Sequence, residues 1–222
     1  MKTSSSLGGE RRRKPQLTPL EIVHGPLPEL RIADIVLVRH KKIFTRGLLR
    51  HVTESYWDHV ALVLFARNPA KGYASDIIIE AIQYGINSSY RRGVEIHRLD
   101  KYLNDPERYD VGIKRVAWLN EEMQNRVRAY MLMNVDSPYY PLNTSKFLLA
   151  MLSKSFRHYL NGRQRYSCSG LVQKAFYEAV DWVDRSNVMF KGAGYTPIEL
   201  QETTSPGDIG KSTACDWIWH KR

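Results

Sequence analysis

Cysteine is scarce in this chain, with two residues, Cys168 and Cys215, among 222. Two are too few for a disulfide framework or a four-cysteine zinc site, although one bridge between them stays open. The seven histidines are scattered, with no HExxH and no Cys/His group at metal-ligand spacing, so no metal is expected. Long apolar runs are missing as well. The longest, residues 60–66, is far too short to span a bilayer, and residues 1–16 contain no apolar signal-peptide core. A soluble, cytoplasmic product with reduced thiols is the expectation. An export route without a cleaved signal would leave no mark here. No internal repeat is visible.

Positive charge is plentiful. The formal net charge is +10, and residues 1–14 carry +4 of it as five basic residues less Glu10. Residues 1–17, Ser/Gly-rich and then basic, read as a flexible, solvated leader whose contacts with anionic surfaces would be weak. Nucleic acid is not expected as a partner, because neither an ordered basic helix nor an RNP-like aromatic strand accompanies the charge. With 43% hydrophobic residues, positions 18–222 suffice for one domain with a sizeable core.

Periodicity divides that domain in two. Short β-branched or alternating runs predict strands at 34–39, 58–65, 76–82, 94–99 and 111–116. The second is apolar on both faces and therefore central. Helices follow at 121–134, capped by Asn120, then at 145–159, and then from Cys168 onward. Residues 203–222 read as loop-like, ending in a strand at 216–219. Strands followed by helices indicate an α+β class.

The segment Arg165-Tyr166-Ser167-Cys168-Ser169-Gly170-Leu171-Val172 places a cysteine on the first turn of an amphipathic helix. Leu171, Val172, Ala175, Phe176, Ala179 and Val180 recur at helical spacing. Ser167 suits the N-cap, and Gly170 permits close backbone approach near the sulfur. The partial positive charge of a helix N-terminus favours thiolate, as a nucleophilic cysteine requires. A small buried core residue would fit the same pattern.

A thiol nucleophile needs a base, and the base an orienting group. His59 lies within an otherwise apolar strand, where an imidazole must find a polar partner. Alone, it reads as a core histidine bonded to a carbonyl. Glu80 interrupts the next strand, Ile77-Ile78-Ile79-Glu80-Ala81-Ile82, which a hairpin-type connection would pair with the first. Two polar misfits on neighbouring apolar strands explain each other if Glu80 accepts from His59, the arrangement of a catalytic triad. A buried pair without chemistry is the competing account. His97 falls on the polar face of its strand, His40 and His51 in a basic, loop-like region, and His24 and His158 have no matching acid. Cys215 with His220 is a rival pair lacking a helix N-terminus.

In order, Asp34-Ile35-Val36-Leu37, Asp58-His59-Val60-Ala61-Leu62-Val63, Ile79-Glu80-Ala81-Ile82-Gln83-Tyr84-Gly85-Ile86 and Tyr166-Ser167-Cys168-Ser169-Gly170-Leu171-Val172 resemble the YiiX/YaeF-like branch of the NlpC-type cysteine peptidases. Tyr195-Thr196-Pro197-Ile198-Glu199-Leu200 resembles that branch's closing Thr-Pro-x-x-Leu segment. The resemblance covers roughly residues 32–200. It implies a circularly permuted papain-like fold, an antiparallel sheet packed against a helical layer that carries the cysteine. It further implies a cysteine amidase or peptidase with Cys168 as nucleophile, His59 as base and Glu80 orienting it, and no cofactor. Its substrate would be a small peptide, peptidoglycan-derived peptides included, or an acylated small molecule. Tyr140, Tyr166 and Ser167 would line the pocket, Tyr140 through its resemblance to a segment that supplies an active-site tyrosine in related enzymes. Two features depart from the pattern. Ser167 stands where non-permuted cell-wall enzymes commonly carry Asp, and the export signal frequent in the branch is missing. Two other functions remain open: a thiol-dependent lipid acyl hydrolase or acyltransferase, similar to the lecithin-retinol acyltransferase relatives, and an inert binding module of the same fold.

Overall fold

A computed structural model describes residues 26–41, 55–68, 70, 74–82, 93–138, 167–192 and 194–221. The predicted leader, the predicted helix at 145–159, His24, His51 and His158 lie outside the described residues. In chain order the described elements are strands β1 (Ile35–His40), β2 (His59–Phe65), β3 (Ile77–Ile82) and β4 (Gly93–Arg98), then helix α1 (Asp100–Leu103) and β5 (Tyr109–Arg115). Helices α2 (Glu121–Met133) and α3 (Cys168–Ala179) follow, then a 3-10 helix (Trp182–Val188), α4 (Pro197–Thr203), α5 (Pro206–Lys211) and β6 (Asp216–Lys221).

The strands form one six-stranded sheet in the order β4-β3-β2-β1-β5-β6, and every neighbouring pair is antiparallel. The protein is thus α+β, as the succession of periodicities predicted. Strand β2 is central and buried along all but its last residue, because Val, Leu and Ala occupy both of its faces.

Alternation along the strands sorts the core into two layers. On one face Ile35, Leu37, Val60, Leu62, Ile79 and Ala81 pack against α2 and α3, through Val127 and Met131 of the former and Leu171, Val172, Ala175 and Phe176 of the latter. On the other, Val36, Val38, Ala61, Val63, Ile78 and Val111 pack against Leu99 and Tyr102 at α1. Each fully buried aliphatic or aromatic side chain contributes about 1.5–3 kcal/mol relative to exposure, so the helix face behind Cys168 is firmly seated.

One stretch differs from the sequence reading. Residues 203–222 are not loop-like before their last strand, since Thr203 ends α4 and α5 spans Pro206–Lys211. Both helices open with a capping box and a proline in the first turn, Thr196 with Glu199 and Ser205 with Asp208. They are too short to show a helical period. The strand expected at 216–219 is present as β6, which returns to pair with β5 at the sheet edge.

Candidate active site

Helix α3 begins at Cys168 because the backbone of Ser167 is extended and its Oγ accepts the Gly170 N–H at 3.0 Å. Such a cap is worth about 1 kcal/mol. The first turn is clamped to α4. Ser169 Oγ donates to the Thr204 carbonyl at 2.6 Å, and a Cβ on Gly170 would stand 2.2 Å from the Gln201 carbonyl oxygen. The sequence reading assigned the smallness of Gly170 to room near the sulfur. The close neighbour is instead the backbone of α4. Further along α3, buried Gln173 donates to the Val188 carbonyl and accepts from the Phe190 N–H, fastening the helix to the following segment.

His59 opens β2, paired in register with Val38. The Leu62–Ile79 pairing of β2 with β3, continued along both strands, sets Glu80 opposite Ala61 and diagonal to His59 on the same face. The expected contact is present, with His59 Nε2 2.5 Å from Glu80 Oε2. The imidazole is also hydrogen-bonded to the Cys168 side chain. With Nε2 taken by Glu80, Nδ1 is the ring nitrogen left for the sulfur. Burial alone would strip the proton from His59, but the bonds and charges of Cys168 and Glu80 outweigh it and push its pKa up to about 9.

Glu80 is 1% exposed and has more partners than the sequence suggested. Tyr102 donates its hydroxyl to Oε2 at 2.7 Å, and the Lys101 ammonium donates to Oε1. His97 Nδ1 lies 3.1 Å from Oε1 on the same side of the carboxylate as Lys101. Its Nε2 is 3.4 Å from Glu95 Oε2. Burial opposes the carboxylate, yet His59, His97 and Lys101 together hold its pKa well below the usual carboxylate range. Lys101, Tyr102 and His97 were missed in the sequence. His97 was read on the polar face of its strand, and so it is. The Ile78–His97 and Glu80–Glu95 register turns that polar face toward Glu80, which the sequence did not show.

A second correction concerns His40, which ends β1 and is not in a loop. Its Nδ1 is 2.6 Å from Asp58 Oδ1, and its N–H donates to Oδ2 at 3.0 Å. Its ring stands edge-on to Tyr109 at 5.1 Å and to His59 at 6.4 Å between centroids.

Of the residues expected to line the pocket, Ser167 adjoins the cysteine but spends its hydroxyl oxygen on the helix cap. Tyr140 and Tyr166 lie outside the described residues. The two cysteines are not bonded to each other. Burial pushes the Cys215 thiol up to about 11 despite the nearby Lys114 ammonium, and its sulfur lies 3.8 Å from the Ile209 carbonyl oxygen. His220 is packed among the rings of Tyr56, Trp57 and Trp217. A cavity of about 740 Å³ between Trp118, Met189, Phe190, Lys191 and Lys211 includes none of Cys168, His59 or Glu80 in its lining. Among the described residues no group of three His, Cys, Asp or Glu is arranged to hold a metal ion, and no helix is long and apolar enough to cross a membrane.

Chemically, the arrangement is a sulfur at a helix start, an imidazole beside it, and a carboxylate behind the imidazole. Such a set can hold a thiolate–imidazolium pair and move one proton. No protein-family model matches the chain, and no curated protein matches it.

Proposed function

We propose that this chain is a cysteine hydrolase of the permuted papain-like type that cleaves an amide bond in a small peptide. The observation carrying this reading is the position of His59, bonded to the Cys168 side chain on one side and to Glu80 at 2.5 Å on the other. The order of histidine strand, acidic strand and cysteine helix supports it, as does the sheet-and-helix arrangement.

In the reaction, the Cys168 thiolate adds to the amide carbonyl and forms a C–S bond. Negative charge gathers on the carbonyl oxygen, to which the Cys168 backbone N–H at the start of α3 would donate. Protonated His59 then gives its proton to the departing nitrogen as the C–N bond breaks, leaving a thioester and a free amine. Water attacks the thioester next, with neutral His59 taking its proton. The C–S bond breaks, the acid product leaves, and thiolate and imidazolium are restored. Glu80 keeps the imidazole in one tautomer and orientation and stabilises its charged form.

The test is the iodoacetamide alkylation rate of Cys168 against pH, followed by intact mass in a Cys215→Ser background. An inflection well below the free-thiol value of about 8.5, lost in His59→Ala, is the expected result. An inflection near 8.5 in both proteins, or no labelling, would identify an inert module. Incubating the protein with activated acyl esters and phospholipids, beside amides, distinguishes a lipid acyl hydrolase by the adduct that forms on Cys168.

A further inference from the structure

Glu80 is bound at both of its oxygens, and the two oxygens answer to different elements. Oε2 receives His59 of β2 and the Tyr102 hydroxyl, while Oε1 receives Lys101 and has His97 of β4 at 3.1 Å. Lys101 and Tyr102 are consecutive residues of α1, a helix of only four residues held down by Leu99 and Tyr102 in the core. The lysine head is fixed on a second side as well, 4.6 Å from the centroid of the Tyr102 ring. We propose that Lys101 is a positioning residue that acts through Glu80: its ammonium occupies Oε1 so that Oε2 is aimed at His59, and its charge offsets the field of Glu80 on the imidazole.

The proposal rests on the hydrolase reading, because it concerns how the base of that reaction gives up a proton. A histidine that serves as acid and then as base must release its proton readily in each cycle. Were His59 the sole cation beside a buried carboxylate, losing its proton would strand an unpaired charge in the core, which is expensive. With Lys101 in place, Glu80 keeps a cation whether His59 is charged or neutral. Besides Lys101, the groups around Glu80 are His59 on β2, His97 and Glu95 on β4, and Tyr102 on α1. Around His59 stand Cys168 on α3, His40 of β1 with its Asp58, and Tyr102. Of these, Lys101 carries a fixed positive charge at neutral pH and donates directly to the carboxylate.

The experiment is an NMR titration of the His59 ring in the full chain, comparing wild type with Lys101→Met, Lys101→Gln and Lys101→Arg, alongside the alkylation profile of Cys168. The neutral variants should raise the His59 midpoint by about one pH unit, the size expected when a charge within a few ångströms is removed. Lys101→Arg should restore it, an effect a merely structural contact would not produce. In the wild type, the Lys101 ammonium signal should move with the same midpoint as His59. An unmoved His59 midpoint in a folded neutral variant, or an ammonium signal indifferent to the His59 titration, overturns the proposal. Failure of the hydrolase reading looks different: Cys168 would alkylate no faster than a free thiol, while the His59 midpoint still responded to residue 101.

Discussion

Asp58 and His59 are neighbours in the chain, yet they belong to different histidine–carboxylate contacts: Asp58 meets His40, and His59 is bound to Glu80. Asp58 precedes the strand that His59 opens, and the Val38–His59 register sets His40 on the same face as His59, so one dipeptide serves two histidine–carboxylate contacts on one side of the sheet. The His40 and His59 rings still meet edge to face at 6.4 Å. The Glu80 pair lies beside the sulfur, and substitutions there should act on the reactivity of Cys168 before they act on folding.

Glu80→Gln is the most informative of these. The amide keeps the shape and can still meet Tyr102, but it cannot hold a proton on His59. The His59 midpoint should fall from about 9 by about one to two units. Alkylation of Cys168 at pH 7 should slow about tenfold or more, with far-UV circular dichroism unchanged. An unaltered rate would remove Glu80 from the proposed triad.

Stability should vary with pH in a direction the same pair sets. The His59 pKa is raised above its unfolded value of 6.5, so its contribution is complete below about 6.5, declines above it and is gone once the pH passes about 9. Glu80 is lowered, so its contribution is present above the unfolded value of 4.5 and disappears as acid carries the pH through its folded pKa. Urea unfolding between pH 3 and 10 should therefore show a maximum near pH 5–6.5 from this pair. The alkaline decline should be shallower in His59→Gln. Equal slopes in the two proteins would assign the decline to other groups.

Gly170→Ala tests the clamp between α3 and α4. The added methyl meets a backbone oxygen, which cannot rotate away as a flexible side chain would. A loss of about 2–3 kcal/mol is expected, as for overpacked cores. Cys168 alkylation should slow at the same time, because the helix start must shift. A variant as stable as wild type would mean that α4 moves freely.

Lys114 offers a control remote from the proposed chemistry. Its ammonium, buried beneath β5, donates to the carbonyls of Ile209, Gly210 and Ser212 at the end of α5. Lys114→Met should cost about 1–3 kcal/mol, since the Gly210 and Ser212 carbonyls lose the ammonium that donates to them. Native Cys215, whose pKa is pushed up to about 11, should resist alkylation at pH 8 and label quickly in denaturant. Rapid native labelling would contradict its burial.

The His59–Glu80 contact was legible because each residue interrupts an apolar strand, and a buried polar group must find a partner. The Ser167 cap of α3 and the Asn120 cap of α2 were legible from residue type alone, and both are made as expected. Lys101 and Tyr102 were not. They sit on a single helical turn, too brief for a period, and their reach to Glu80 depends on how that turn folds back over the sheet. His97 was assigned to the correct strand and the correct face, but what that face meets was not legible. Alternation tells which residues share a face, but the polar face of β4 is the one turned toward Glu80, while Ile96 on the other remains 44% exposed.

The helix that carries Cys168 finds its strands from far away in the sequence, since β2 and β3 precede it by a stretch that contains, among the described residues, two more strands and two helices. Contacts of such separation form late, after the entropy of closing a long loop has been met. A chain still emerging from the ribosome, or one partly unfolded, therefore carries an ordinary thiol. Its imidazole neighbour arrives only with the completed sheet. Reactivity at Cys168 would in that way be deferred until the fold is finished, sparing the nascent chain from attacking its surroundings.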